Sequence, residues 1–162
     1  MLSKEEFKLI FDTHFDAIRS YVFYRCGDTE LASDIAQDVF MKVWEKRASL
    51  NDKYIKQLLY KMANDCFISN YRKAQCHTGF VQSIVQGYDD QPTPEDELSF
   101  SELAASYAET LEQMPEKQRT VFLMNREDGM KYAEIAGCLQ ISVKTVEKYI
   151  SAALQLLKTK LL

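Results

Sequence analysis

Apolar side chains recur every three or four residues through most of the chain, and this spacing is typical of one buried helix face. The first stripe ends at Cys26 and Gly27 and contains Phe7, Phe11, Phe15, Ile18 and Val22. The second follows a capping residue at Asp28 or Thr29 and contains Leu31, Ile35 and Val39, with Ala36, Phe40, Val43 and Trp44 beside them. The third contains Ile55, Leu58, Leu59, Met62 and Cys66. These stripes predict three helices with short joints, which form an N-terminal unit over residues 1–75.

The helical pattern breaks after this unit. Glycines and prolines interrupt residues 74–106, and the segment carries acidic side chains but no lysine or arginine. Periodicity resumes by about Leu98 and Leu103, and Pro115 starts a further helix. We therefore predict a linker over residues 76–106 and a second helical unit over residues 107–162. The predicted fold class is all-α, with two small domains.

The C-terminal unit contains the pattern of a helix-turn-helix. Ile135, Ala136 and Leu139 share one face of a short helix, Gln140 to Ser142 form a tight joint, and the next helix buries Val143, Val146, Ile150 and Leu154. The small Ala136 allows close helix packing, and Ser142 is placed to cap the second helix. The position of Gln140 often requires positive φ, which glycine adopts more easily. In such motifs the second helix enters the major groove of DNA.

The second helix of this motif carries a ridge of hydrogen-bond donors opposite its apolar stripe. Lysine suits phosphate or guanine, and serine or threonine can meet a base edge or a phosphate. Glu147 repels phosphate unless it accepts from a cytosine or pairs with a lysine. The predicted DNA-binding residues of this ridge are Lys144, Thr145, Lys148 and Ser151.

The net charge of -4 argues against a nucleic-acid partner only when it is taken as one number. Residues 1–73 hold 12 basic and 11 acidic side chains, residues 74–106 hold 6 acidic ones alone, and residues 107–162 hold 8 and 7. The negative excess therefore lies in the predicted linker, and each helical unit can carry a small basic face.

The sequence contains few residues in patterns that are typical of catalytic or metal-binding sites. His14 and His77 lie outside any nucleophile or H-E-x-x-H context, and no Walker-type loop occurs. Cys26, Cys66, Cys76 and Cys138 form no C-x-x-C pair, so we expect reduced thiols without a metal. We predict no enzymatic activity and no cofactor. The absence of a long apolar run and of a signal peptide predicts a cytoplasmic protein.

Two groups of motifs, one in each unit, resemble bacterial sigma factors of the extracytoplasmic-function group, which belong to the sigma-70 family. The C-terminal group is L-E-Q-M-P-E-K-Q-R-T-V-F-L-M at 111–124, Y-A-E-I-A at 132–136 and I-S-V-K-T-V-E at 141–147. The N-terminal group is G-D-T-E-L-A-S-D-I-A-Q-D-V-F-M-K-V-W at 27–44. The resemblance covers nearly the whole chain, and it implies an alternative sigma factor that binds core RNA polymerase and directs promoter-specific initiation.

The resemblance also assigns roles to residues. The D-x-x-Q-[DE]-x-F pattern would bind core polymerase through Asp34, Gln37, Asp38 and Phe40. The third helix would bind and melt the minus-ten element with Asn64, Asn70, Tyr71, Arg72 and Lys73, and the loop 48–52 would capture an unstacked base. Leu58, Asn64 and Ser69 depart from the residues that this family often has.

The same resemblance places the second helix of the C-terminal motif at the minus-thirty-five element, with Ser142, Lys144, Thr145, Lys148 and Ser151 as the contacting residues. It also places the acidic linker in the polymerase channel for nascent RNA. It further implies an anti-sigma factor as a partner. Two other interpretations of the residues stay open: another helix-turn-helix regulator with a dimerisation or sensing unit, and a helical adaptor whose lysine face is inert.

Overall fold

The structure is a computed structural model that describes residues 1–71 and 94–162, and the regular secondary structure of these residues is entirely helical. Seven α-helices follow one another in this part of the chain: α1 (Lys4–Cys26), α2 (Thr29–Glu45), α3 (Ile55–Tyr71), α4 (Pro94–Gln113), α5 (Glu116–Arg126), α6 (Tyr132–Leu139) and α7 (Val143–Leu161). Two 3₁₀ turns, Arg47–Ser49 and Asp52–Tyr54, join α2 to α3. The predicted all-α fold class is confirmed. None of the described helices is long and apolar enough to cross a membrane.

Local capping explains where the first two helices begin and end. The Ser3 side chain accepts from the amide of Glu6, whose carboxylate accepts from the amide of Ser3, and this reciprocal pair satisfies two donors at the start of α1. Gly27 adopts φ 72° after the last residue of α1, a left-handed conformation that glycine takes without steric cost. Asp28 then accepts from the amide of Leu31 and starts α2, as its sequence position predicts.

The apolar stripe of α1 is buried in only part of its length. Ile18 and Val22 are fully buried, whereas Phe7, Phe11 and Phe15 are half-buried. These three rings lie beside α2, where Phe11 contacts Phe40 edge-on at 5.1 Å between ring centroids. The first half of α1 therefore lines a surface and does not lie in the centre of the core.

Helix α4 begins at Pro94, so residues 94–106, the C-terminal part of the predicted linker, are helical. Proline is favourable in a first helical turn because its missing amide would have no partner there. Ala104, Ala108 and Leu111 recur at helical spacing and are buried. These small and apolar residues extend the helical periodicity into the predicted linker. Residues 76–93 of the predicted linker lie outside the described residues.

The buried side chains of the two units form one contiguous cluster. Helix α1 packs against α5, and α3 packs against α6, so the N-terminal helices share an interface with the C-terminal ones. Cys26, Cys66 and Cys138 are buried, as their apolar surroundings in the sequence predict, while Cys76 lies outside the described residues. The two units thus meet along one side of α1 and α3.

Candidate nucleic-acid and polymerase interfaces

The helix-turn-helix forms as the sequence predicts. Helix α6 ends at Leu139 and α7 begins at Val143, so Gln140 to Ser142 make the joint. Gln140 adopts φ 57° and ψ 45°, and among the described residues it is the single non-glycine with positive φ. This conformation costs a non-glycine residue about 1 kcal/mol. The amide of Ile141 donates to the Ala136 carbonyl at 3.1 Å and closes the end of α6.

Ser142 is the N-cap of α7, also as predicted. Its hydroxyl accepts from the amide of Thr145 at 3.1 Å and lies 2.8 Å from the Thr145 hydroxyl. The cap fixes the direction of the first turn of α7 and keeps both hydroxyls at the helix N-terminus, where a phosphate is electrostatically favoured.

The predicted DNA-binding ridge lies on the outer face of α7. Lys144, Lys148 and Ser151 occupy positions i, i+4 and i+7, so they share one side of the helix, and all three are exposed. Ser142 is exposed as well and Thr145 is half-buried. The ridge therefore offers two lysines and hydroxyl donors to solvent, with the exposed Glu147 beside them.

The buried side of α7 differs in part from the predicted one. Val146 and Ile150 are buried as expected, but Val143 is 42% exposed and Leu154 is 53% exposed. Ala153 and Leu157 are buried in their place. A helix has 3.6 residues per turn, so a buried line that starts at Val146 and Ile150 continues through positions 153 and 157. The shift leaves the lysine ridge on the outer face.

Only part of the predicted core-polymerase surface is exposed to solvent. Asp34, Gln37 and Asp38 are exposed on one face of α2, where the two carboxylates stand one helical turn apart. Phe40, which the resemblance assigns to the same role, is 2% exposed and packs against Phe11 and Phe15. The Phe40 ring thus lies beneath the polar face, in the packing between α1 and α2, and its role at a polymerase surface stays a prediction.

An aromatic groove next to this face was not predicted from the sequence. It has a volume of about 940 Å³ and lies between α1 and α2, with Phe7, Phe11, Phe40, Met41 and Trp44 among its lining residues. Trp44 contacts Phe7 edge-on at 4.9 Å, and the Arg47 guanidinium lies 4.0 Å from the Trp44 ring centroid. The half-buried state of Phe7, Phe11 and Trp44 distinguishes the groove from ordinary core, and helical periodicity alone does not reveal it.

The residues predicted to meet the minus-ten element are not all brought together. Asn64 is half-buried and accepts from the guanidinium of Arg25 at 2.6 Å, while the Asn70 amide donates to the Cys66 carbonyl of its own helix at 2.9 Å. The side chain of Tyr71, together with Arg72 and Lys73, lies outside the described residues. Asn64 thus points toward α1 and the C-terminal unit.

The predicted base-capturing loop, residues 48–52, spans the two 3₁₀ turns. Ala48, Ser49 and Asn51 are exposed, and Leu50 is half-buried against the core. Asn51 accepts from the amide of Lys53 at 3.2 Å, and this contact orders the start of the second turn. The loop is accessible from solvent and lies directly before α3.

Titratable groups in the described residues do not gather as metal ligands. Within residues 1–71 and 94–162, no three histidine, cysteine or acidic side chains form such a cluster. His14 has a pKa below its ordinary value, because burial and the positive charge of Lys56 both disfavour the imidazolium. Burial raises the pKa of Tyr24, which therefore keeps its proton and donates to Asp128 at 2.7 Å.

Two family models match the chain, one in each unit. Sigma-70 region 2 matches residues 10–76, and Sigma-70 region 4 matches residues 104–157. The first match contains the acidic face of α2 and the whole of α3, and the second contains the helix-turn-helix.

Similar proteins include the ferric citrate uptake sigma factor FecI of Escherichia coli, which is 25% identical over 92% of this chain and 87% of its own length. The ECF RNA polymerase sigma factor SigW of Bacillus subtilis is 25% identical over 98% of this chain and 90% of its own length. The solved sigma factor RpoE from Bartonella quintana, in complex with the anti-sigma factor NepR, superposes with a TM-score of 0.65 at 21% identity and covers 97% of both chains. The chain belongs to the sigma-70 family, as an extracytoplasmic-function sigma factor with regions 2 and 4.

Proposed function

We propose that this chain, an alternative sigma factor directing transcription initiation, divides its work between three surfaces: the face of α2, the ridge of α7, and the face of α3 with the preceding loop. The observation that carries the proposal is the capped helix-turn-helix with its lysine ridge exposed, in the same chain as an exposed acidic helix face. The chain would add promoter specificity to the polymerase and would supply no catalytic group. A protein with this role works in the cytoplasm, where the polymerase acts.

The acidic face of α2 would bind core RNA polymerase. Asp34, Gln37 and Asp38 are exposed there without a partner helix across them in the described residues, and they suit a basic surface on the polymerase. The groove beside them offers apolar contact area from Phe7 and Trp44. An acidic rim next to an aromatic groove combines electrostatic steering with the buried area that a stable interface needs.

The ridge of α7 would read the minus-thirty-five element. Lys144 and Lys148 would contact phosphate or guanine, and Ser142, Thr145 and Ser151 would contact phosphates or base edges. Their position on the first half of α7 fits a helix that enters the major groove by its N-terminal turns.

The loop 48–52 and α3 would hold the melted minus-ten strand. The exposed loop backbone and polar side chains can receive an unstacked base, whose extrusion costs a few kcal/mol. Asn64 and Asn70 stand on the helix that follows, and Tyr71, Arg72 and Lys73 complete the set of residues proposed to contact the strand. The departures at Leu58, Asn64 and Ser69 are expected to change which bases this surface prefers.

An anti-sigma factor is a natural partner for this chain. The structural neighbour RpoE is held by NepR, and a similar inhibitor here would need to cover the acidic face and groove of α2. The acidic linker of residues 76–106 would pass through a basic channel of the polymerase, where a polyanion-like stretch can be displaced by nascent RNA.

Reconstitution tests this proposal. Purified core polymerase, with and without the chain, is incubated with a library of promoter sequences, and transcript starts are mapped. We expect initiation at a subset of sequences that share two separated elements. A folded, inhibitor-free chain that gives no initiation above core polymerase alone would contradict the proposal.

A matched pair of variants separates DNA reading from general charge. Lys144→Gln with Lys148→Gln removes two positive charges from the ridge, and Lys158→Gln with Lys160→Gln removes two from the exposed end of the same helix. Only the first pair should reduce initiation. An equal loss in both pairs would assign the effect to net charge and remove the ridge from the proposal.

A further inference from the structure

Two arginines hold the N-terminal and C-terminal units together. The guanidinium of Arg119 on α5 is buried and donates to the carbonyls of Tyr24 at 2.7 Å and Arg25 at 2.6 Å, at the end of α1. It also donates to Leu111 and Met114 at the end of α4. A cation shared by two helix C-termini is favourable, because each C-terminus carries partial negative charge. Arg119 therefore fastens α1 to the C-terminal unit.

Arg25 makes the second connection between the two units. Its Nε donates to the Glu116 carboxylate at 2.5 Å, and the Glu116 side chain lies in the first turn of α5. Its Nη1 donates to the Asn64 side chain at 2.6 Å, and its guanidinium lies 4.2 Å from the Phe67 ring centroid. The side chain of Arg25 is 13% exposed. A carboxylate of the C-terminal unit thus sits on a cationic site of the N-terminal unit.

This site includes Asn64, one of the α3 residues that we assign to promoter DNA. A cleft of about 430 Å³ lies there, lined by Arg25, Lys61 and Asn64 from one unit and by Glu116 and Tyr149 from the other. Arginine forms charge-assisted hydrogen bonds with carboxylate and phosphate oxygens in the same geometry. Glu116 therefore presents to Arg25 the kind of anionic oxygen that a DNA phosphate would present.

The closed arrangement is also too short to use both DNA-binding surfaces at once. A compact chain of this length has a radius of gyration of about 15 Å and so a diameter of about 40 Å. The minus-ten and minus-thirty-five elements lie about 25 base pairs apart, which is about 85 Å of duplex. The units must separate before both surfaces reach their elements.

We propose that Arg25 is a phosphate-contacting residue of the N-terminal DNA-binding surface, and that Glu116 covers it in the chain without polymerase. The inference rests on the proposed function of α3 and adds to it a phosphate-contacting residue, Arg25, and the side chain that covers it, Glu116. Separation of the units exposes Arg25 and Asn64 together, so loss of the Glu116 contact and gain of DNA affinity are the same event.

Three full-length variants and two probes test the proposal. Small-angle scattering measures the radius of gyration, and fluorescence anisotropy measures affinity for a short single-stranded oligonucleotide of mixed sequence, both without polymerase. Glu116→Gln removes the negative charge that covers Arg25. Glu109→Gln removes the same charge from an exposed position on α4 and serves as the control. Arg25→Gln combined with Glu116→Gln removes the masked site as well.

We expect the wild-type chain to have a radius of gyration of about 15 Å. Glu116→Gln should leave it within about 1 Å of the wild-type value, because Arg119 and the shared apolar cluster still join the units. The same variant should raise oligonucleotide affinity about fivefold over Glu109→Gln, since a freed arginine adds one phosphate contact. The double variant should lose that gain in affinity at the same radius of gyration.

Three results would overturn the inference. One is a wild-type radius of gyration already well above 20 Å, because the closed form would then not exist in solution. Another is equal affinity for Glu116→Gln and Glu109→Gln, and the third is a gain that persists in the double variant. Each of these leaves promoter-dependent initiation by the reconstituted polymerase intact, so failure of this inference is distinct from failure of the proposed function.

Discussion

The two helices that are expected to meet promoter DNA differ in what their polar side chains contact. On α7 the lysine ridge faces solvent, and only Ser142 and Thr145 use their hydroxyls locally, in the helix cap. On α3 the Asn64 side chain is engaged by Arg25, which in turn holds Glu116 of the other unit. One DNA-binding surface is ready in the closed chain, and the other is covered.

The difference shows which features depend on local sequence and which depend on tertiary contact. A cap, a tight joint and a 3.6-residue period involve residues within one or two turns of each other. The cover on α3 joins Arg25 to a residue 91 positions later in the chain. The open and covered surfaces can therefore be perturbed separately, and the following changes are ordered by the size of the expected effect.

The largest effect is expected at Arg119, which joins α1 to the C-terminal unit. Arg119→Met removes donors from four backbone carbonyls and should lower the free energy of unfolding by about 3 kcal/mol. Urea denaturation measures this loss. Arg126→Met, at an exposed position on the same helix, is the control and should change stability by less than about 0.5 kcal/mol. Equal effects of the two changes would show that Arg119 does not fasten the units.

The next effect concerns the exposed ridge. Lys144→Gln with Lys148→Gln should weaken promoter binding by the reconstituted polymerase about 30-fold, or about 2 kcal/mol. If both lysines contact phosphate, the slope of log affinity against log salt concentration should fall by about 2. Binding titrations at several salt concentrations check both numbers. An unchanged slope together with lower affinity for particular base pairs would show that the lysines read bases.

A smaller effect is expected at the acidic face of α2, which lies on the N-terminal unit away from the cover. Asp34→Asn with Asp38→Asn should lower affinity for core polymerase about tenfold, because charge complementarity at an interface rim mainly speeds association. Glu30→Gln with Asp16→Asn removes the same charge from exposed positions of the same unit. Surface-immobilised core polymerase can compare the association rates of the two pairs. If the two double variants associated with core polymerase at the same rate, Asp34 and Asp38 would not belong to the interface.

The smallest effect is expected in the joint before α7. Gln140→Gly relieves the left-handed strain at φ 57° but gives the unfolded chain more freedom, so we expect stability to rise by only about 0.5 kcal/mol. Thermal unfolding measures the change. A loss of stability would mean that the contact from the Gln140 amide to the Gly137 carbonyl outweighs the backbone strain.

Much of the helical fold could be predicted from local sequence signals. Gly27, Asp28 and Ser142 adopt the cap conformations that their residue types favour, and Gln140 adopts the left-handed conformation that its place in the joint requires. Helix α4 begins at Pro94, a few residues before the periodicity that the sequence shows at Leu98 and Leu103, so part of the predicted linker is helical, and the domain boundaries stay a prediction. The assignment of Phe40 to the polymerase surface followed a motif, and a motif does not tell whether a ring lies on the face or under it.

The candidate sites were predicted where exposure follows from helix geometry alone. Lys144 and Lys148 stand opposite a buried stripe, and any packing that buries the stripe exposes them. The groove beside Trp44 and the site at Arg25 depend on how two or more helices lie against each other. Periodicity gives the side of a helix that is buried, but it does not give how deeply each ring is buried or which distant carboxylate meets an arginine.

The central claim is that α7 and the face of α3 contact two separate promoter elements in the polymerase-bound chain. A photo-crosslinking residue at position 148 or at position 64 of the reconstituted polymerase, on a promoter selected from the library, tests this claim most directly. The account predicts crosslinks on two DNA segments about 25 base pairs apart, with position 148 on the upstream one. Crosslinks from both positions to one segment, or none from position 64, would contradict it.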